Sequence, residues 1–372
     1  MGEKILVTGG AGFIASFLVD ELVAKGHEVR IFDNLDHQVH PDGKKPEYLN
    51  KDAEFVQGDV RDYEALRKSV DGMEVIFHEA GAVGVGQSQY QIKKYVDVNT
   101  GGTANLLDIL VNHKNKARKL VVAASMSSYG EGRYRCEKCG LVCPDLRPEE
   151  QMARGDWEPF CSACGSGLKP VPTDEDKMQF CNSIYAYSKK DQEDMVLNIG
   201  KTYKLPVVAL RYFNVYGPRQ SLSNPYTGVA AIFLSRLKNN NSPVVYEDGL
   251  QTRDFISVHD IVRANTMAME SDRGDYQVFN VGSGVPHSIK GIGQKLAELL
   301  GKDIQPTIAN KFRKGDVRHC FADISRIKEK MDFTPSVSFE EGMKELIQWS
   351  HNAEAEDKFE QAAAELKERK LI

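Results

Sequence analysis

An α/β fold with a doubly wound parallel sheet and a smaller C-terminal lobe follows from three features of this 372-residue sequence. Short apolar runs alternate with amphipathic stretches through the first half. A glycine-rich turn joins the first apolar run to the first helical pattern. The alternation loosens after about residue 215, where "GPRQSLSNPYTG" is rich in Pro, Gly, Asn and Ser.

In chain order, residues 5–7, 28–32, 53–57, 75–78, 119–124 and 207–210 read as strands. Phe13, Ile14, Phe17, Leu18 and Leu22 recur at helical spacing, as do Ala104, Leu106, Leu107 and Leu110. The stretches between strands are long enough to carry parallel crossovers. The expected organisation is a first domain over 1–210 with a cysteine-rich insertion at 131–180, and 252–270 returning to it. A ligand-binding lobe takes 211–251 and 271–350. Residues 351–372 read as a charged helix with a thin apolar stripe, expected to lie solvated.

The chain is long enough for a large core, and 41% hydrophobic with 27% charged residues is ordinary for a soluble globular protein. A net charge of −5 offers no basic surface for a nucleic-acid backbone. No apolar run is long enough to span a membrane, and "KILVTGG" reads as a strand entering a turn rather than a signal sequence. Gly2 lacks the Ser or Thr four residues on that myristoylation needs. A cytosolic protein is expected.

"ILVTGGAGFIA" sets Gly10, Gly12 and Ala15 in G-x-G-x-x-A register between a strand and a helix, and Gly9 opens an overlapping G-x-x-G spacing. Such a turn lets backbone approach a pyrophosphate at a helix N-terminus, the mark of a Rossmann-type dinucleotide site. Asp33 ends the second strand 21 residues beyond Gly12, where a carboxylate accepts from ribose hydroxyls and repels an added phosphate, so NAD is expected over NADP. Asp59 ends a third strand and is placed either to reach the adenine amino group or to cap the next helix.

Tyr185 and Lys189 stand one helical turn apart and share a face. A free tyrosine titrates near ~10, and a drop of roughly three units, about 4 kcal/mol, makes it a competent base. A nearby ammonium and an oxidised nicotinamide are expected to provide it. Ser125 is placed to donate to a substrate oxygen. The Y-x-x-x-K spacing alone recurs in many helices; Tyr187 has Asp191 rather than a cation at the matching position.

In order, "VTGGAGFIA", "VNTGGT", "SMSSYG", "YAYSK", "RYFNVYGPRQ" and "TRDFISVHD" resemble the extended short-chain dehydrogenase/reductase family, within it the nucleotide-sugar epimerases and dehydratases. The resemblance spans nearly the whole chain except the cysteine segment and the C-terminal tail. It implies that Ser125, Tyr185 and Lys189 are catalytic. It implies cofactor contacts from Gly9, Gly12, Phe13, Ile14, Asp33, Asn34, Asp59, Val60, Ala80 and Asn99, with Tyr185 and Lys189. It also implies that Asn214, Arg253 and Arg318 hold a substrate diphosphate, as guanidinium forks suit phosphate. Gly84, Gln87, Ser88, Ser127 and Arg219 fall in the stretches expected to meet the sugar.

Two departures stand out. The dehydratase branch has an acid and a base after its catalytic Ser or Thr, but Met126 and Ser127 stand here, so dehydration is disfavoured. "FHEAG" places an unexplained Glu79 where "HLAA" is usual. The resemblance therefore implies an NAD-dependent 4-epimerase of a dTDP- or UDP-hexose, dTDP-L-rhamnose among them. In that chemistry Tyr185 removes the C4 hydroxyl proton and a 4-keto sugar turns in the cleft. The alternatives are an oxidoreductase or decarboxylase releasing a keto product, or a non-catalytic NAD-binding redox sensor. The resemblance further implies a homodimer.

Cys136, Cys139, Cys161 and Cys164 have C-x2-C-x21-C-x2-C spacing, that of a closed tetrahedral zinc site, with two disulfides or idle thiols as alternatives. The expectation is a zinc-knuckle insertion, its metal supplying folding energy that a small polar segment lacks. Cys143 fits the spacing worse, and Cys181 and Cys320 have no sequence partners.

Overall fold

The computed structural model describes residues 2–372. Seven parallel strands form the central sheet: β1 (Lys4–Thr8), β2 (Glu28–Asp33), β3 (Glu54–Gln57), β4 (Val75–His78), β5 (Lys119–Ser125), β6 (Val207–Tyr212) and β7 (Gln277–Val281). Their spatial order is β7-β6-β5-β4-β1-β2-β3. Every residue of β4, β5 and β6 is buried, as a sheet covered on both faces requires. One face packs the helices Phe13–Ala24 and Val258–Glu270 through Leu18, Leu22, Ile261 and Ala268. The other packs Tyr63–Val70, Gly102–Asn112 and Ile184–Tyr203 through Leu66, Leu106 and Val196.

The six expected strands are present, within a residue or two at their ends. The sheet's seventh strand corrects the expected boundary: β7 lies in the stretch assigned to the second lobe but pairs in register with β6, Asn280 opposite Arg211. That lobe holds the parallel pair Asn214–Tyr216 and Thr252–Ser257, with the helices Val229–Lys238, Ile289–Leu299 and Phe339–Ser350 around its own core.

Strand order reverses between β1 and β4, and the carboxyl ends there open a crevice, the usual ligand site of such sheets. Register carries Thr8 beside His78, and Ser125 beside Tyr212, to this edge.

The insertion is a three-stranded antiparallel sheet with Arg133–Cys136 between Gly140–Val142 and Lys169–Val171. Its own apolar cluster is small: Tyr134, Cys136, Cys161 and Leu168, with Val142 against them. It docks on the second lobe through backbone hydrogen bonds from Gly132 to His319 and from Thr173 to Phe321.

Candidate active site

A cavity of about 680 Å³ runs along the crevice and between the lobes. Gly9, Gly12, Phe13, Ile14, Asp33, Asn34, Asp59, Val60 and Ala80 line one arm, beside β1 to β4, and Ser125, Tyr185 and Lys189 line the cavity as well. Gly84, Ser127, Asn214 and Arg253 line the other arm.

Local physics explains the first arm. Gly9 has φ +70, and a Cβ there would lie 2.8 Å from the Ala80 backbone, so the turn takes only glycine. Gly12 begins the helix Phe13–Ala24, whose first turn carries no acidic residue, leaving its amide dipoles open to an anion. The Asp33 carboxylate accepts from Ala11 N at 3.0 Å and Leu35 N at 2.8 Å, one bond per oxygen, so acceptor capacity remains for two hydroxyls. These donors and acceptors fit an NAD molecule.

Asp59 takes a forked ion pair from Arg61 and a hydrogen bond from Asn34 Nδ2 at 2.8 Å; the Arg61 contact holds its carboxyl down to about 2. It is not the helix cap: Asp62 caps Tyr63–Val70 by accepting from Ala65 N.

Ser125 ends β5 and its hydroxyl accepts from Ser127 N at 3.2 Å and Ser127 Oγ at 2.9 Å. Tyr185 is the second residue of its helix, two after the cap, Ser183. Its backbone N–H is held by Ser88 Oγ at 3.0 Å and its ring meets Tyr95 edge-on at 6.3 Å. Burial raises the Tyr185 phenol and a hydrogen bond with Ser125 opposes this, so the expected fall is not a property of the protein chain alone.

Lys189 is buried and donates to Ala123 O at 2.6 Å and Gln192 Oε1 at 3.0 Å. Burial brings its ammonium down to about 8, and the charge of Glu79 opposes the fall. Glu79 lines the cavity, accepts from Tyr212 Oη at 2.8 Å, and is pushed by burial up to about 7. Tyr212 is held in turn by Asn265 Nδ2 at 2.6 Å. Behind them His78 bridges Thr8 and Thr103; Thr103 gives its proton to Asn99 O, so His78 is a neutral donor from Nε2, with its titration drawn down to about 3 by burial.

Several expected contacts are corrected by packing. Asn99 is fully buried off the cavity wall, where its side chain brackets the Ala82 backbone and donates to Ser188. Gln87 accepts from Tyr95 Oη and Ser88 holds the Tyr185 backbone; the neighbouring Gln89 lines the cavity instead. Arg219 turns back to Asp20 at 2.8 Å and covers the Phe17 ring, away from the cavity. Arg318 is 1% exposed, and Glu158, Glu247 and Asp248 take up its guanidinium within 3.0 Å. All three nitrogens of that guanidinium are thus engaged within the protein. Arg313, five residues earlier and not anticipated, lines the cavity with its side chain 46% exposed. Its signal was the basic pair of "FRKGD" ahead of "VRH".

The four knuckle cysteines do come together: all four sulfurs lie within 4.8 Å of one another, Cys136 and Cys161 buried, Cys139 and Cys164 exposed. Cys143, Cys181 and Cys320 stand apart from that cluster.

Comparison with known proteins agrees with this geometry. The family model described as NAD dependent epimerase/dehydratase family matches residues 5–147, and that described as GDP-mannose 4,6 dehydratase matches residues 165–346. A dTDP-L-rhamnose 4-epimerase of Burkholderia thailandensis is 34% identical, covering 94% of this chain and 95% of its own. The UDP-glucose 4-epimerase of Thermotoga maritima, solved with UDP-glucose, superposes with a TM-score of 0.76 at 31% identity, over 94% of this chain and 98% of its own. The Thermus thermophilus UDP-glucose 4-epimerase, solved with NAD, gives 0.74 at 28% identity, over 94% of this chain and all of its own.

Proposed function

Because the chain belongs to the NAD dependent epimerase/dehydratase family, we propose that it inverts C4 of a nucleotide-activated hexose. The observation that carries this is that Ser125, Tyr185 and Lys189, the last one helical turn beyond Tyr185, line the same cavity as the dinucleotide turn. Gly9, Gly12, Asp33 and Asp59 would hold NAD, which when bound accepts a hydride from C4 and returns it. Tyr185 takes the C4 hydroxyl proton and gives it back after the keto sugar has turned. Ser125 donates to the same oxygen, and Lys189 biases Tyr185 toward the anion. Arg253 and Arg313 supply positive charge for the diphosphate in the second arm.

The dTDP-L-rhamnose 4-epimerase relative makes dTDP-L-rhamnose and its C4 epimer the first pair to test, followed by UDP-hexoses. Interconversion at C4 without net NADH is the expected result. No 4-epimerisation of any candidate, or stoichiometric NADH, would overturn the proposal.

Glu79 gives this site its own pH dependence. Its carboxylate favours the charged form of Lys189, so Glu79→Gln lowers the Lys189 titration further below about 8. The alkaline limb of the kcat/KM profile is expected to move to lower pH, by roughly half a unit or more. A limb that stays in place would show that Glu79 does not act on Lys189.

We also propose that Cys136, Cys139, Cys161 and Cys164 hold one structural zinc. Sulfurs 2.3 Å from a tetrahedral ion stand about 3.8 Å apart, which fits a cluster spanning 4.8 Å. Four thiolates leave no open position, so the ion is a clip for the insertion and takes no part in the chemistry. Elemental analysis of protein purified without added zinc is expected to give one zinc per chain, lost in Cys161→Ser. Metal-free protein with four free thiols would reject it.

A further inference from the structure

We propose that the C-terminal segment, residues 351–372, is a lid that completes the nucleotide-sugar site, with Ala362, Ala363 and Leu366 setting what fits beneath it. The inference rests on the function proposed above and extends it. Rather than lying solvated, the helix Phe359–Glu368 turns Ala362 and Ala363 into the cavity wall, and Leu366 packs beside them. Two small residues at that wall leave space that a larger side chain would fill.

The segment touches both lobes. On the dinucleotide side, Leu366 lies against Gly86, where an added Cβ would stand 3.3 Å from it, and the Arg369 guanidinium covers the Tyr90 ring at 4.1 Å. On the other side, Arg236 pairs with Glu360 at 3.2 Å and covers the Phe359 ring at 4.4 Å; Lys314 N donates to Leu371 O at 3.0 Å. A latch runs between them: Tyr226 Oη donates to Glu365 at 2.5 Å and bonds Tyr90 Oη at 2.8 Å.

This latch is joined to the chemistry through rings. The Tyr95 ring meets Tyr185, its hydroxyl sits over Gly84, and Gly84 lies against Tyr226. Few side chains of the tail are buried, Ala362 and Leu366 within the helix, so the contacts holding it down are mostly polar and exchangeable with water. Such a segment opens at low cost, as access to an enclosed site requires, and closes when a ligand adds contacts beneath it.

The test uses the full chain and two readouts. Ala363→Trp is expected to weaken binding of UDP-glucose or dTDP-L-rhamnose at least tenfold by calorimetry, with bound NAD unchanged. In the wild type, UDP, dTDP and these nucleotide sugars are expected to slow tryptic cleavage at Lys358 and Lys367 several-fold. Unchanged affinity in Ala363→Trp, or cleavage indifferent to every ligand, overturns the lid even where the wild type epimerises. A wild type that converts no hexose, yet is protected by UDP or dTDP, overturns the epimerase and keeps the lid.

Discussion

Tyr185→Phe is expected to lower kcat by about three orders of magnitude while leaving nucleotide-sugar affinity and bound NAD close to wild type. The substitution removes one oxygen, the only atom of that side chain able to exchange a proton. The helix start is unaffected, because Ser88 and Ser183 bond backbone atoms rather than the phenol. The ring keeps its edge-on contact with Tyr95. Burial raises the phenol in the protein alone, so the anion forms only when positive charge is added beside it. A steady-state assay at C4, with calorimetry on the same preparation, separates catalysis from binding. Residual activity within tenfold of wild type would move the base elsewhere.

The second large effect is on stability. Arg318→Ala is expected to destabilise the protein by about 3 kcal/mol, since it removes a fully buried guanidinium shared by three carboxylates and leaves the buried Glu247 with Arg147 alone. Glu247 is nearly fully buried, and both Arg318 and Arg147 neutralise it. Glu158, contributed by the insertion, bonds Arg318 at 2.6 and 2.9 Å and His319 at 3.0 Å. The same guanidinium therefore joins the cysteine segment to the second lobe. Arg313→Ala provides the contrast: its exposed pair with Asp316 contributes ~1 kcal/mol or less, but KM for the nucleotide sugar should rise. Urea unfolding and KM for the two variants test the division of roles. Equal stabilities, with the KM effect at Arg318, would restore Arg318 as the diphosphate clamp.

The parts of the site that were legible share one property, a local spacing with a direct physical meaning. A glycine turn between strand and helix, a carboxylate at the next strand end, and Tyr185 one turn before Lys189 each state their geometry within a few residues. The cysteine pairs did the same, and their four sulfurs converge across a gap of 21 residues. Glu79 was visible as an anomaly, but its partners Tyr212 and Lys189 lie on other elements, so its role was not.

What spacing could not decide was which of several similar side chains faces the cavity. Gln87 and Gln89 differ by two residues, and helical rotation sends one to Tyr95 and leaves the other on the wall. Arg313 and Arg318 are equally basic; Arg318 is claimed by Glu131 at its backbone and Glu158 at its side chain, 187 and 160 residues away.

Sequence alone thus determined the alternating sheet and the dinucleotide turn, because those depend on periodicity and short-range spacing, while Ser125, Tyr185 and Lys189 were singled out by the order of motifs along the chain. The tertiary structure decided the edge strand β7, the buried fate of Arg318 and the folding of the tail over the cleft. Each of these depends on long-range partners competing for one side chain or one surface, and burial settles that competition only when the whole chain is in place.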